Sequence, residues 1–133
     1  MKNVSDRPIV EIGHKRIVAC AMLLNGKCPA RDFLENLKRF DHRTLAKFCA
    51  LFQRMANKGI ILNKQQFRKV EGEIWEFKCY QHRIGCYQDG PVWVLTHGFI
   101  KKRDKWPKEE LERAKRIAKE DKDRIARSKR KNK

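Results

Sequence analysis

Long apolar runs are missing from this 133-residue chain. No stretch of about 18 apolar residues is present to span a bilayer, and the opening "MKNVSDRPIVEIG" lacks the apolar core of a secretory signal. The expectation is a soluble cytoplasmic protein with no membrane partner. Metal and disulfide frameworks are missing too. Cys20, Cys28, Cys49, Cys79 and Cys86 form no C-x-x-C pair and no Cys/His cluster at zinc spacing, so they are expected to be free thiols used as small apolar residues. Acid is scarce: 16 Asp and Glu face 33 Lys and Arg, a formal net charge of +17. That excess goes well beyond what solubility requires and points to a polyanionic partner.

What is present is periodic. "RIVACAMLL" (16–24) is an apolar run fit for a buried strand, and "NGKCP" supplies the turn after it. Pro29 suits a first helical turn, Phe33, Leu34 and Leu37 follow at helical spacing, and Asp41 stands where it can cap a second helix. That helix carries Leu45, Phe48, Cys49, Phe52 and Met55 as one stripe and ends at Lys58-Gly59. From Phe67 to His97 the period becomes two, through "EIWEFKCY", "RIGCYQ", a "DGP" turn and "VWVLTH", which predicts three consecutive antiparallel strands. Pro107 then opens a helix with glutamates in its first turn and Leu111, Ala114, Ile117, Ala118 and Ile125 on one face. The predicted class is α+β, an antiparallel-dominated sheet with helices mainly on one face. Residues 1–126 make one domain, and the basic segment 127–133 is expected to be a disordered tail.

Alternation along the strands sorts the side chains. Trp75, Phe77 and Cys79 belong under the helices with His82 and Trp93, whereas Glu76, Lys78, Tyr80, Arg83 and Tyr87 share the face expected to be open. "HGFIKKRDKWP" would place Lys101, Lys102, Arg103 and Lys105 at the rim of that face. Cations attract phosphates, and Tyr80, Tyr87 and Trp106 can stack on unpaired bases, the usual combination for single-stranded RNA. The plainer alternative is a solvated cationic surface. His97, at a strand end beside an apolar run, fits a hydrogen-bonded structural residue as well as a general base.

The ordered set "CPARDFLENL", "GIILNKQQFRKVEGEIWEFKCY", "HRIGCY" and "THGFIKKRDKWPKEELERAKR" resembles the RelE/ParE toxin superfamily, in particular its phage-derived, HigB-like branch. The resemblance covers roughly residues 15–120. It implies a small antiparallel sheet with an N-terminal helical hairpin and a C-terminal helix. The implied activity is that of a type II toxin, a ribosome-dependent mRNA interferase acting without metal or other cofactor. Its implied partners are the ribosome, mRNA and a cognate antitoxin of the helix-turn-helix DNA-binding kind.

In such enzymes the RNA 2′-hydroxyl attacks the neighbouring phosphate, and cations stabilise the charge that gathers at phosphorus. Carried onto this chain, the resemblance gives Arg83 the transition-state phosphate. It gives Lys78 a base or phosphate-holding role, and Lys102, with Lys101 as rival, the basic position after the last strand. Three positions depart from the pattern. Trp106 can stack but not transfer a proton. Glu71 stands where relatives place a lysine, a charge that Arg68 and Lys69 are near enough to supply. Glu76 replaces another lysine and is either a general base or a salt-bridge partner of Lys78 or Arg83. Two other functions share the fold or the charge: a gyrase-inhibiting ParE-type toxin, and a basic nucleic-acid-binding protein without chemistry.

Overall fold

The computed structural model describes residues 7–103 and 105–131. In chain order the elements are β1 (Ile9–Ile12), β2 (Ile17–Cys20), α1 (Pro29–Phe40), α2 (His42–Lys58), β3 (Phe67–Glu71), β4 (Ile74–Cys79), β5 (His82–Asp89), β6 (Val92–Ile100) and α3 (Lys108–Lys131). Local chemistry sets the helix ends. Pro29 opens α1. The Asp41 carboxylate caps α2 by accepting from the Thr44 amide at 3.1 Å and its hydroxyl at 2.8 Å. Gly59 closes α2 in left-handed backbone at φ 82°, its amide donating to the Met55 carbonyl.

The strands form one six-stranded sheet in the order β1-β2-β6-β5-β4-β3. β2 and β6 run parallel, with Ile17 opposite Val92 and Cys20 opposite Leu95. The other neighbours are antiparallel. This overturns the expected small antiparallel-dominated sheet with a helical-hairpin start. Two strands precede the helices, the sheet is mixed, and the segment from Phe67 onward holds four strands instead of three. The extra division falls at Gly72-Glu73, between β3 and β4. The hairpins joining β3 to β4, β4 to β5 and β5 to β6 each pass through left-handed backbone, at Gly72 (φ 58°), Tyr80 (φ 55°) and Gly90 (φ 59°).

Helices cover both faces, which corrects the expectation of one covered face. Against one, α1 and α2 bury Leu37, Phe48, Phe52 and Met55 on Phe77, Ile84, Cys86, Trp93 and Leu95. Phe67, Trp75 and Trp93 pack there with ring centroids 5.1–5.9 Å apart. Four of the five cysteines are buried and all are free thiols, Cys79 pushed up to about 12 by burial. Against the other face, α3 lays Ala114, Ile117 and Ala118 on Ala19, Ala21, Ile74, Tyr87, Val92 and Val94.

A polar latch fastens α3 there. Asp121, fully buried, accepts from Arg7 Nη2 at 2.7 Å, the Tyr87 hydroxyl at 2.6 Å and the Met22 amide at 2.9 Å. Burial works against its ionisation, but these donors prevail and hold the carboxyl below its usual range. The helix continues through Lys131 into the segment read as a tail; residues 132 and 133 lie outside the described residues.

Candidate phosphate site and nucleic-acid interface

The candidate side chains Arg68, Glu76, Lys78 and Arg83 gather on the α3 face of the sheet, beyond the start of α3. Register does most of the placement: Arg68 lies opposite Glu76, Lys78 opposite Arg83, and Glu76 opposite Gly85. Alternation therefore puts Arg68, Glu76, Lys78 and Arg83 on one face. Gly85 leaves a floor for the indole of Trp106, since a Cβ there would stand 2.8 Å from Trp106 and 2.7 Å from the Thr96 hydroxyl. Trp106 also packs edge-on to Phe99, centroids 4.7 Å apart.

Glu76 is the hub. It is fully buried. Its Oε2 accepts from Arg68 Nε at 2.8 Å, and its Oε1 accepts from Trp106 Nε1 at 2.8 Å while lying 3.3 Å from Arg83 Nε. Both oxygens are thus engaged, which favours the salt-bridge reading over the general base. The Arg83 contact is an ion pair and not a hydrogen bond: the N–H is misdirected, and the buried Nε finds no hydrogen-bond acceptor. Arg83 Nη1 donates to the carbonyls of Tyr80 at 2.7 Å and His82 at 3.0 Å. Nη2 makes no hydrogen bond among the described residues. The guanidinium is therefore fixed at one end, and although the side chain is only 10% exposed and not on an open face, Nη2 is left as a donor for an anion.

Lys78 is half-buried beside it. Burial, then the charges of Arg68, Arg83 and Lys101, push its ammonium below the usual lysine value, with Glu76 opposing. A cleft of about 410 Å³ opens on the Arg68 side of Glu76, lined by Arg68, Lys69, Glu76, Lys105 and Trp106 among others, and its lining includes neither Lys78 nor Arg83. Among the described residues, Arg68, Lys78 and Arg83 set three cations around the carboxylate of Glu76. Such a surplus next to open space suits a phosphate.

The remaining predicted residues divide. Lys102, Arg103 and Lys105 are exposed between β6 and α3, and Lys69 is exposed on the edge strand β3. Lys101 is 4% exposed, its amide donating to the Gln81 carbonyl, so Lys102 is the more accessible of the two rivals. Tyr87 is corrected: it is fully buried in the Asp121 latch and offers no ring to a base. His97 is also removed from solvent, 1% exposed, with Nε2 2.9 Å from Glu110 Oε1 and Nδ1 3.3 Å from the Thr96 hydroxyl. Burial, opposed by Glu110, brings its pKa down to about 4, so the ring is neutral at pH 7 and ties α3 to β6.

Tyr80 alone among the predicted stacking tyrosines is exposed. Two cations that the strand-based reading passed over flank it, Lys47 at 5.2 Å and Arg43 at 5.9 Å from the ring centroid. The available signal was their i,i+4 spacing on the polar side of α2.

A mixed sheet covered on both faces, with a cleft lined by Arg68, Lys69 and Lys105 beside Glu76, defines a small basic α/β protein. No curated protein matches the chain. Residues 35–119 match the family described as Phage derived protein Gp49-like (DUF891), and the chain belongs to that family, one of toxin–antitoxin toxins of the RelE/HigB type. No described helix is long and apolar enough to cross a membrane.

Proposed function

We propose that the protein is the toxin of a type II pair and a metal-independent, ribosome-dependent endoribonuclease of the HigB-like kind, with a DNA-binding helix-turn-helix antitoxin as its cognate partner. The observation that carries the reading is Arg83, pinned through Nη1 and with no partner at Nη2 among the described residues, beside a partly desolvated Lys78 on one sheet face.

The 2′-oxygen of one nucleotide attacks the adjoining phosphorus and the P–O5′ bond breaks, leaving a 2′,3′-cyclic phosphate and an O5′ that takes a proton from water to become a 5′-hydroxyl. Arg83 holds the equatorial phosphate oxygens as charge accumulates. Lys78, in its neutral fraction, accepts the 2′-hydroxyl proton, and depression of its pKa enlarges that fraction near neutral pH. Glu76 positions the arginines, while Lys102, Arg103 and Lys105 supply salt-dependent attraction to the flanking backbone.

The test is end-mapping of labelled mRNA on translating ribosomes with wild-type and Arg83→Ala protein, with ribosome-free RNA in parallel. Ribosome-dependent cuts bearing 5′-hydroxyl ends, reduced at least about 100-fold in the variant, are expected. Equal cutting by a folded Arg83→Ala protein removes Arg83 from the reaction. Intact message together with gyrase-linked DNA breaks transfers the function to the gyrase-directed class.

A further inference from the structure

The turn between β4 and β5 carries a conformational cost that its sister turns avoid. In the other two hairpins the left-handed position is a glycine, Gly72 or Gly90, whereas here it is Tyr80 at φ 55°. A side chain with a Cβ is disfavoured in that backbone region, and a bulky ring there is uncommon. Nor does the ring repay the cost by packing, for Tyr80 is 53% exposed.

What surrounds it is charge. Arg43 and Lys47 stand one helical turn apart on α2, both exposed, and neither makes an ion pair among the described residues beyond its approach to the Tyr80 ring. The same turn is wired to the phosphate site, because the Tyr80 carbonyl accepts from Arg83 Nη1 at 2.7 Å. A ring held out at a sheet end, with two exposed cations beside it and a backbone link to a phosphate-directed arginine, has the components that bind one unpaired nucleotide: a stacking face and cations for its phosphates.

We propose that Tyr80, Arg43 and Lys47 form a second nucleotide subsite for single-stranded RNA, Tyr80 stacking one unpaired base and the α2 cations holding its flanking phosphates. The subsite rests on the ribonuclease reading for its purpose. It extends the RNA path from the Arg83 site around the end of the sheet onto α2, and the shared turn keeps the stacked nucleotide in register with the phosphate that Arg83 grips.

Binding of an end-labelled, ten-nucleotide 2′-O-methyl RNA to the full chain tests it, since this probe lacks the attacking hydroxyl and reports affinity without chemistry. Tyr80→Phe keeps the ring and should bind within about twofold of wild type. Tyr80→Gly removes the ring and suits the left-handed backbone; affinity should fall roughly 5- to 100-fold while the melting temperature holds or rises by a few degrees. The Arg43→Gln/Lys47→Gln pair should lower the salt slope by about 0.7 for each phosphate it no longer neutralises, whereas Tyr80→Gly leaves that slope in place.

Affinity of Tyr80→Gly within twofold of wild type overturns the proposal. So does a loss that follows a fall in melting temperature, or no measurable binding by wild type at about 50 mM salt, where attraction to phosphates is strong. The two readings fail separately. Ring-dependent binding without ribosomal cutting keeps the subsite and removes the nuclease, and Arg83-dependent cutting with ring-independent binding does the reverse.

Discussion

Lowering the pH should loosen the protein through His97 before most carboxylates titrate. The ring is buried against α3, paired with Glu110 Oε1 at 2.9 Å and stacked on Phe99 with centroids 5.5 Å apart. Burial brings its pKa from 6.5 to about 4; the Glu110 hydrogen bond and charge oppose the fall, and Arg113 and Arg116 on the same helix reinforce it. The sign follows directly. Above pH 6.5 the ring is neutral folded or unfolded and titration contributes nothing. Between 6.5 and 4 the unfolded chain binds a proton that the folded chain refuses, so stability is lost as pH falls. Below about 4 the loss is complete. At 1.36 kcal/mol per unit, the shift amounts to about 3 kcal/mol in full, most of it gone by pH 4.5. Urea unfolding of wild type and His97→Gln from pH 7.5 to 4.5 isolates this contribution, because other acid-sensitive groups such as Asp121 are common to both proteins. The wild type should lose about 2–3 kcal/mol more than the variant over that range. Parallel curves would show that the buried ring accepts its proton at no cost and would refute the argument.

Asp121→Ala should destabilise by about 3–5 kcal/mol in urea unfolding, since it strands the buried Arg7 guanidinium and the Tyr87 hydroxyl together. Gly85→Ala places a methyl within 2.8 Å of Trp106 and 2.7 Å of Thr96; the indole must lift from Glu76, seen as a change in tryptophan fluorescence together with slower cleavage. If Lys78 takes the 2′-proton, the cleavage rate should climb with pH through a pKa below the ordinary 10.5 and then level, and Lys78→Gln should flatten that rise. Glu76→Gln should cost cleavage through misplaced arginines, so its pH profile should keep the wild-type shape at a lower rate.

The helices were legible because their signals are local. The Asp41 cap, the Gly59 stop and the apolar stripe of α2 all lie within a few residues of what they control. The strand faces were legible for the same reason: period two put Glu76, Lys78 and Arg83 together, and register confirms it. What could not be read was long-range. β1 and β2 are four residues each, too short to alternate, and their place in the sheet is decided by a parallel pairing with β6 some 75 residues away. Alternation rightly sets Tyr87 on the face of Arg83, but that face is covered by α3 at Tyr87, whose hydroxyl is satisfied by Asp121, 34 residues distant. The apolar stripe of α3 held the corrective hint, for a helix with Leu111, Ala114, Ile117 and Ala118 in line needs a face to cover.

The pairing of β2 with β6, and of Arg7 with Asp121 across 114 residues, has a consequence in time. Partners so distant meet late, because most of the chain must exist before the loop between them can be bridged. A nascent chain holding everything up to β5 still lacks the neighbour of β2 and the tryptophan that seats Glu76. Emergence of α3 supplies the Asp121 latch for Arg7, made more than a hundred residues earlier. If the protein cuts message on the ribosome, its site is therefore incomplete until β6 and Trp106 have been made and have folded against β5 and Glu76.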